Sequence, residues 1–416
     1  MRRLGQIGAR FRARAERRGG RWLALALAVL CAVAAAGETL LRSHEGLLPE
    51  EAALRLFWRE IEDRGGLKAV PHDDVAYLMP ASVEDEIRAG GLAFTYRTDP
   101  HGFRNSSPWP PRADVVILGD SLAFGFGVDD HQSWVSRLGE QLPELEIVNL
   151  GILAAAPQQY LLAYETFGAR LSPELIVVAL YPPNALGAVH VFDDWIAAGK
   201  PERLDLWRAQ RARSGRLAEI KRALMGSYLI TGLYFGAKEI GSTVRGRTIR
   251  FEDGGRVRMA PAEIGMAPLA HAGHPRFDRV VEILLELRAA AAADGAELLV
   301  TLFPSKWEAL EPLLEQPVPD LTEPFARRFD ELGVPYLDLT GVLRERAARG
   351  ERLFLEVDIH PNPEGYRLIA QVMADHLKGQ LVTDSGLCGL GGCWSHRART
   401  PGGRHGTARR RCDTTG

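Results

Sequence analysis

Cysteine is scarce in this chain of 416 residues. Cys31 lies in an apolar segment, and the others lie near the C-terminus: Cys388, Cys393 and Cys412. The chain from Ala32 to Leu387 has none, so we expect a fold without disulfides and a chemistry without thiols. The C-terminal cysteines and the two histidines near them lack a recognised zinc spacing. We therefore expect no metal and no cofactor.

The central part of the chain also lacks positive charge. The formal net charge of the whole chain is −2, but residues 1–21 carry +7 and residues 384–416 carry +4, which leaves −13 for residues 22–383. Binding to phosphate backbones requires a positive surface. The acidic body therefore argues against a nucleic-acid partner.

An uncharged run follows the basic leader. Trp22–Gly37 reads WLALALAVLCAVAAAG, and as a helix that continues to Leu41 it would span about 30 Å, the thickness of a bilayer core. The eight preceding arginines predict a cytoplasmic N-terminus. We predict a leader at 1–21 and a single-pass anchor at 22–41, with the remainder on the periplasmic side of the inner membrane. The alternative is secretion after signal cleavage at Ala34-Ala35-Ala36.

Apolar runs of strand length alternate with helical patterns over residues 113–383. The runs are Val115–Leu118, Ile147–Leu150, Leu175–Tyr181, Leu298–Phe303 and Tyr336–Leu339. Strands that are apolar throughout are typical of a parallel sheet covered on both faces. The alternation predicts an α/β fold, a three-layer α/β/α doubly wound parallel sheet. Residues 42–112 are predicted to be an N-terminal extension and linker, and residues 384–416 a disordered tail.

One connection, at residues 186–275, is too long for a simple loop and predicts an inserted subdomain. It contains the basic stretch Arg203–Arg222, the apolar stretch Tyr228–Phe235, and a hairpin pattern that turns at Asp253-Gly254-Gly255. Two interpretations remain open. The subdomain is either a lid that lies on the membrane surface or a unit that packs onto the main sheet.

Functional side chains follow the predicted strands, at the edge where ligands bind in open parallel sheets. Ser121 lies in Gly-Asp-Ser-Leu after the first strand, Gly151 follows the second and Asn184 follows the third. Asp358 and His360 precede the last helix. These residues supply a nucleophile, hydrogen-bond donors, and a base with a carboxylate partner.

The set resembles the SGNH/GDSL hydrolase family over roughly residues 100–380. Its blocks stand in order as Gly119–Leu122, Gly151, Asn184 and Asp358–His360. The His-Gly-Phe-Arg at 101–104 and the Phe-Pro-Ser-Lys at 303–306 look like segments of its membrane-anchored bacterial members. The resemblance implies the SGNH fold, which is flavodoxin-like, and ester chemistry.

The roles follow from the chemistry of the side chains. Ser121 would attack the ester, His360 would take its proton, and Asp358 would hold the tautomer of His360. The amides of Ser121 and Gly151 and the side-chain amide of Asn184 would form the oxyanion hole. No metal is required. Structural alternatives exist: Ser121 could cap a helix, Gly151 could serve tight packing, Asn184 could form a turn, and His360 could be a surface residue.

Two departures from the family pattern concern residues beside the site. Ala185 stands where aspartate usually follows the asparagine, which puts the support of Asn184 in doubt. Asp358 lies two residues before His360, whereas many members place the acid three before. Asp120 is interpreted as a structural residue of the turn.

The sequence thus predicts a serine esterase that hydrolyses an acyl ester, of short-chain or O-acetyl type, on an envelope glycan or lipid. An O-acyltransferase that uses the same site is the alternative. A non-catalytic binding or assembly protein on the same fold is the alternative of another class. The expected partners are the acyl-ester substrate and the membrane.

Overall fold

The computed structural model describes residues 22, 25–63, 68–89, 91–105, 108–201, 203–204, 207, 220–221, 223–242 and 245–384. The predicted leader at 1–21, the tail beyond Asp384 and most of the basic stretch Arg203–Arg222 lie outside these residues. The strands are β1 (Val70–His72), β2 (Ala76–Leu78), β3 (Glu84–Ala89), β4 (Leu92–Arg97), β5 (Val115–Gly119), β6 (Ile147–Asn149), β7 (Leu175–Leu180), β8 (Arg247–Arg250), β9 (Arg256–Met259), β10 (Glu297–Leu302) and β11 (Tyr336–Asp338).

Helices connect most of these strands. They are α1 (Leu25–Ser43), α2 (Glu50–Asp63), α3 (Ser121–Phe124), α4 (Trp134–Gln141), α5 (Pro157–Ala163), α6 (Pro182–Ala197), α7 (Tyr228–Ile240), α8 (Pro275–Ala293), α9 (Lys306–Ala309), α10 (Glu323–Leu332), α11 (Thr340–Ala348) and α12 (Pro363–Asp384). Single turns of 3₁₀ or π helix lie at Glu45–Leu47, Asp130–Gln132, Tyr164–Gly168, Ala169–Leu171, Pro261–Ile264, Ala267–Leu269 and Glu311–Leu313.

The central sheet has five parallel strands in the order β11-β10-β7-β5-β6. The chain therefore starts inside the sheet at β5, moves to the β6 edge, and crosses back to β7, β10 and β11, which is a doubly wound, flavodoxin-like order. The predicted α/β fold is confirmed, and each predicted strand lies within about one residue of the observed one. The runs were recognisable because β5 and β7 are buried along their whole length.

Helices cover the sheet in two groups. Helices α4 and α12 pack against each other, whereas α8 packs against both α5 and α6. Right-handed crossovers place the first pair on one face and the second group on the other. This arrangement is the three-layer architecture, and it leaves the carboxyl ends of β5, β6 and β7 at one edge.

Residues 42–112 pack onto the sheet domain where the structure describes them. The Tyr77 hydroxyl donates to the carbonyl of Leu153 at 2.9 Å, and the side-chain amide of Gln159 donates to the carbonyl of Val75 at 2.9 Å. The indole of Trp109 donates to Asp99 at 2.6 Å. The stretch predicted as an extension and linker thus contributes α2 and the antiparallel pairs β1–β2 and β3–β4.

The stretch predicted as an insertion contains two elements that matter below. Strands β8 and β9 form the predicted antiparallel hairpin, with Arg250 opposite Arg256, which confirms the turn at Asp253-Gly254-Gly255. Helix α7 packs against α2. Near the N-terminus, α1 is long and apolar enough to cross a membrane by length and composition, and none of its apolar window is buried in the protein.

A glycine pair in α12 provides a test of how this helix packs. A side chain at Gly365 would overlap the carbonyl oxygen of Leu353 and lie 2.9 Å from Cβ of Pro361, whereas a side chain at Gly379 would meet nothing within 4 Å. Gly365→Ala should therefore destabilise the protein by about 1–3 kcal/mol through overpacking. Gly379→Ala, the matched control, should stabilise it by up to about 1 kcal/mol through helix propensity.

The measurement is the melting temperature of the detergent-solubilised full chain and the two variants. Equal melting temperatures for the two variants would show that the Leu353–Pro361 segment does not pack closely on α12.

Candidate active site

Ser121 is the first residue of α3, directly beyond β5. Asp120 caps this helix, because its Oδ1 accepts the amide of Leu122 at 3.0 Å. The helix ends after one turn at Gly125, which has the left-handed backbone (φ 81°) that glycine adopts without strain. Ser121 is thus held at the sheet edge in a strand–turn–helix segment, with its amide among the helix donors that lack an intrahelical acceptor.

Asp358 and His360 lie in the segment between α11 and α12. Asp358 Oδ1 accepts the amide of His360 at 3.1 Å and also makes a short contact with Nδ1 of its ring. His360 Nε2 lies 2.7 Å from Ser121 Oγ. Both Asp358 and His360 are only 1% exposed, so His360 is not a surface residue. The structure brings the three predicted catalytic residues into one continuous chain of hydrogen bonds.

The electrostatics of Asp358 favour its charged form. Burial by itself would raise the pKa of Asp358, but the adjacent His360 ring, its hydrogen bonds and the charge of Lys306 hold that pKa below its ordinary value. With Asp358 ionised, Nδ1 of His360 is the donor and Nε2 is the acceptor for the Ser121 hydroxyl. This is the tautomer that a general base at His360 requires.

A buried lysine supports the segment that carries Asp358. Lys306 is fully buried and donates from Nζ to the carbonyls of Arg258 at 2.7 Å and of Asp358 at 2.8 Å. Burial lowers the pKa of Lys306 from its ordinary value. Sequence reasoning missed this role, although it noted Phe-Pro-Ser-Lys at 303–306 as part of the family resemblance.

Gly151 allows close packing against the nucleophile helix. A side chain there would lie 2.5 Å from the amide nitrogen of Phe124 and 2.7 Å from Cβ of Ala123, so Gly151 does serve tight packing, and its role as an oxyanion donor stays a prediction. Its amide, a predicted oxyanion donor, donates to Oδ1 of Asn149 at 2.9 Å. That amide is therefore engaged within the protein.

Asn184 lies in the first turn of α6, and its side chain is also engaged. Nδ2 donates to Asp120 Oδ2 at 2.7 Å and to the carbonyl of Ala155 at 2.8 Å. These two bonds use both hydrogens of the amide. Of the three predicted oxyanion donors, the amide of Ser121 is the one without an acceptor among the described residues. The other two could bind an oxyanion by sharing or exchanging their present acceptors.

Asp120 does more than shape the turn. One carboxylate oxygen caps α3 and the other binds Asn184, so Asp120 joins the nucleophile segment to the donor segment. Burial raises the pKa of Asp120 to about 6. Ala185, the departure from the family pattern, is fully buried in the core, and the carboxylate that holds Asn184 comes from Asp120 instead.

Arg104 anchors the far end of the nucleophile helix. It is 7% exposed and donates from its guanidinium to the carbonyls of Gly125 at 2.5 Å and Val128 at 2.7 Å, with Asp130 as its ion-pair partner at 2.7 Å. Sequence reasoning missed this role too, although the segment His-Gly-Phe-Arg at 101–104 had been noted. Five basic or acidic residues of the wider site are thus buried, namely Arg104, Asp120, Lys306, Asp358 and His360. A sequence pattern alone does not reveal this burial.

Aromatic packing closes the site on the side of the N-terminal extension. The ring of Phe126 lies 4.7 Å from the ring of His360, measured between centroids, and Trp58 of α2 stacks on Phe126 at 5.4 Å. Within the described residues, no group of three or more His, Cys, Asp or Glu side chains is placed to hold a metal ion.

This fold and this arrangement of serine, histidine and aspartate are those that the resemblance to SGNH/GDSL hydrolases implies. Residues 267–412 match the family model described as "SGNH hydrolase-like domain, acetyltransferase AlgX", and this segment includes Asp358 and His360. The match confirms the predicted relationship to SGNH/GDSL hydrolases and supports acyl-ester chemistry in general. A comparison with curated proteins finds no match.

Solved structures similar to this chain include two esterase-type proteins. One is a member of the lipolytic protein G-D-S-L family from Veillonella parvula, 13% identical, with a TM-score of 0.35 over 64% of this chain and 97% of that one. Another is the psychrotrophic esterase EstA from Pseudoalteromonas sp., 13% identical, with a TM-score of 0.35 over 64% of this chain and 98% of that one. At these values the likeness adds nothing to the assignment of function.

The raised pKa of Asp120 predicts a pH-dependent stability. Because the folded chain holds this proton up to about pH 6 and an unfolded aspartate only to about pH 4, the contribution of Asp120 to stability is lost as pH rises through that window. Asp120→Asn removes this titration. Any fixed loss from placing an amide against Asn184 is present at every pH and cancels in the comparison.

The measurement is the difference in melting temperature between Asp120→Asn and wild type at about pH 4.5 and about pH 7.5. On going from the lower to the higher pH, the stability of the variant relative to wild type should rise by up to about 3 kcal/mol. Its melting temperature should rise relative to that of wild type accordingly. A difference that does not change with pH would show that Asp120 titrates normally.

Proposed function

We propose that this protein is a serine esterase that hydrolyses a short acyl ester, such as an O-acetyl group, on an envelope glycan or lipid. The observation that carries the proposal is the hydrogen-bond chain from Ser121 Oγ through His360 to Asp358. A hydroxyl is a weak nucleophile until a base accepts its proton. The hydrogen-bond chain supplies that base in His360, and both His360 and Asp358 are buried.

The reaction would proceed in two displacements. Ser121 Oγ attacks the acyl carbonyl and its proton passes to His360 Nε2, while Asp358 stabilises the resulting imidazolium. The oxyanion accepts the Ser121 amide, and Gly151 and Asn184 contribute as it replaces or shares their acceptors. His360 then returns the proton to the leaving alcohol, and water attacks the acyl-enzyme by the same route to release the acid and regenerate Ser121.

An O-acyltransferase at the same site is the second candidate. The description of the matching family model, which includes "acetyltransferase", favours it. The first displacement is unchanged, but a sugar hydroxyl instead of water attacks the acyl-enzyme. The third candidate is a non-catalytic binding protein, and it was suggested by Ala185, which replaces the aspartate that usually supports the asparagine. Here Asp120 supplies the carboxylate that binds Asn184.

We further propose that α1 anchors the protein in the inner membrane as a single span, with the domain on the periplasmic side. The apolar composition of α1 and the eight arginines before it support this orientation. Secretion after cleavage is the alternative. The partners that we propose are the membrane and the acyl-ester substrate, and the acidic body speaks against nucleic acid.

Ser121→Ala tests the nucleophile. It should reduce hydrolysis of a soluble acetyl ester by about 10⁶-fold, the loss found when one member of a comparable catalytic unit is removed. It should also abolish covalent labelling by a fluorophosphonate. Ser136→Ala is the control. Among the described residues the Ser136 hydroxyl bonds only Ser133, which caps α4, so this change should leave both readouts unchanged.

If Ser121→Ala retained a tenth of the wild-type rate, the assignment of Ser121 would be wrong. If the wild-type chain neither hydrolysed esters nor reacted with the fluorophosphonate, the non-catalytic candidate would replace the esterase.

The fate of the acyl group separates the esterase from the transferase. With a soluble acetyl ester as donor, the esterase should release acetate at the same rate with and without sugar oligomers. A transferase should instead form acetylated sugar at the expense of acetate. Both products are measured in one reaction by mass spectrometry, with Ser121→Ala as the blank, and predominant sugar acetylation would contradict the primary proposal.

A further inference from the structure

Helix α7 is apolar on two opposite faces, but the protein covers one of them. Thr231 and Phe235 are buried, and Phe235 packs with side chains of the α2 region. That cluster is Leu48, Ala52, Ala53, Leu56, Met225 and Phe235. A helix that is apolar all round is normally buried all round, so the second face of α7 requires an explanation.

The second face consists of large side chains that stand in solvent. Ile230 is 37% exposed, Leu233 66%, Tyr234 44% and Ile240 78%. At 100° per residue these four positions fall within one arc of about 120° on the helix. We call this arc, with its four side chains, the outer face of α7.

The first turn of α7 is attached to the end of the apolar helix α1. The Glu38 carboxylate accepts the Ser227 hydroxyl at 2.7 Å, the amide of Tyr228 at 3.1 Å and the amide of Leu229 at 2.9 Å. These are the otherwise unsatisfied donors of a helix N-terminus. Helix α7 therefore begins at the level where the apolar part of α1 ends, and it extends about 20 Å from there.

Three cations lie over aromatic rings of α7. Arg42 is 4.5 Å from the ring centre of Tyr228, Lys221 is 5.1 Å from that of Tyr234, and Lys238 is 5.5 Å from that of Phe235. Tyrosine and basic side chains flanking an apolar surface are typical of the boundary between acyl chains and headgroups, and anionic lipids attract such cations.

We propose that α7 is a second membrane contact, which lies in the headgroup region of the leaflet from which α1 emerges, with its outer face among the acyl chains. The proposal rests on the membrane anchoring proposed above. The ligand is an anionic bilayer surface. The contact differs from the lid predicted from the sequence, because α7 packs on α2 and the end of α1 rather than over Ser121.

This contact would determine how the domain sits on the bilayer. Just beyond the end of α1, the carbonyl of Glu45 accepts a hydrogen bond from the Arg258 guanidinium at 2.9 Å. The backbone amide of Arg258 in turn donates to the carbonyl of Glu356 at 2.6 Å. Lys306 links Arg258 to Asp358. A continuous set of hydrogen bonds thus connects the end of α1 to the segment that carries the catalytic carboxylate.

The part of the insertion outside the described residues is a poor match for the outer face. Residues 208–219 read RAQRARSGRLAE, with one large apolar side chain, Leu217, among four arginines. Covering Leu233 and Ile240 with such a segment would bury charge against apolar surface, which is unfavourable. A lipid surface has no such conflict.

Spin labels on the full-length chain test the proposal. The four cysteines are replaced by serine, and labels are attached through Leu233→Cys, Ile240→Cys or the control Glu282→Cys, whose position on α8 is exposed. The chain is placed in nanodiscs of phosphatidylcholine and phosphatidylglycerol. Labels at positions 233 and 240 should collide more with oxygen, which partitions into lipid, than with a water-soluble nickel chelate. The label at position 282 should show the reverse.

Two results would overturn the proposal. One is nickel accessibility at positions 233 and 240 equal to that at position 282, which means that the outer face stands in water. The other is shielding of both positions from oxygen and nickel, or disulfide cross-linking between chains through Leu233→Cys, which means that protein covers the face.

Separate readouts distinguish these results from failure of the proposed function. Resistance to alkaline carbonate extraction reports on α1 alone, and fluorophosphonate labelling of Ser121 reports on catalysis. Leu233→Glu should weaken the lipid signature of a label at position 240 while leaving both of these readouts at wild-type levels. Loss of the lipid signature, of carbonate resistance and of fluorophosphonate labelling together would indicate that the Leu233→Glu variant misfolds. In that case the label at position 240 in the chain without Leu233→Glu decides the outcome.

Discussion

The buried contact between Asp358 and His360 is the constraint on which the site depends. A carboxylate that is removed from water needs compensating partners, since an unpaired buried charge is costly. His360 supplies two hydrogen bonds, through its amide and its ring. Because the ring is held on that side, its other nitrogen is aimed at Ser121, 239 positions earlier in the chain. The same contact that gives Oδ1 of the buried carboxylate its partners therefore also orients the predicted base.

The surroundings of this contact keep both of its ends in place. Lys306 binds the backbone carbonyl of Asp358, and Arg104 binds carbonyls at the end of the nucleophile helix. Each uses a charged group to satisfy main-chain acceptors, which is a stronger bond than one between neutral groups. These two residues lie in the segments at 101–104 and 303–306, which resemble segments of the family but to which the sequence assigns no role. Their geometry gives both segments a physical purpose, namely to position the two halves of the proposed catalytic unit.

Two of the three predicted oxyanion donors, the Gly151 amide and the Asn184 side chain, belong to a separate network in which each already has an acceptor. Asn149 holds the Gly151 amide, and Asp120 together with the carbonyl of Ala155 holds Asn184. Such bonds order the donors before a substrate arrives, and an oxyanion must compete with them. Asp120 is central here, because it caps α3 and orients Asn184 with the two oxygens of one carboxylate. Its bond to Asn184 also gives that side chain a carboxylate partner in a chain where Ala185 replaces the aspartate that usually follows the asparagine.

The sequence by itself determined the doubly wound parallel sheet, because uninterrupted apolar runs separated by helical patterns have few other stable arrangements. It also pointed to the residues that the structure brings together at one edge of the sheet, since each stands at the carboxyl end of a strand or just before the last helix. Only the tertiary structure decided which donors are engaged and what Lys306 and Arg104 bind, because their partners are backbone carbonyls, which leave no mark in a sequence. Likewise, the apolar character of Tyr228–Phe235 is visible in the sequence alone. In the structure one face of α7 is covered by α2, the other stands in solvent, and the first turn is bonded to the end of α1. This arrangement follows from packing between segments nearly two hundred residues apart.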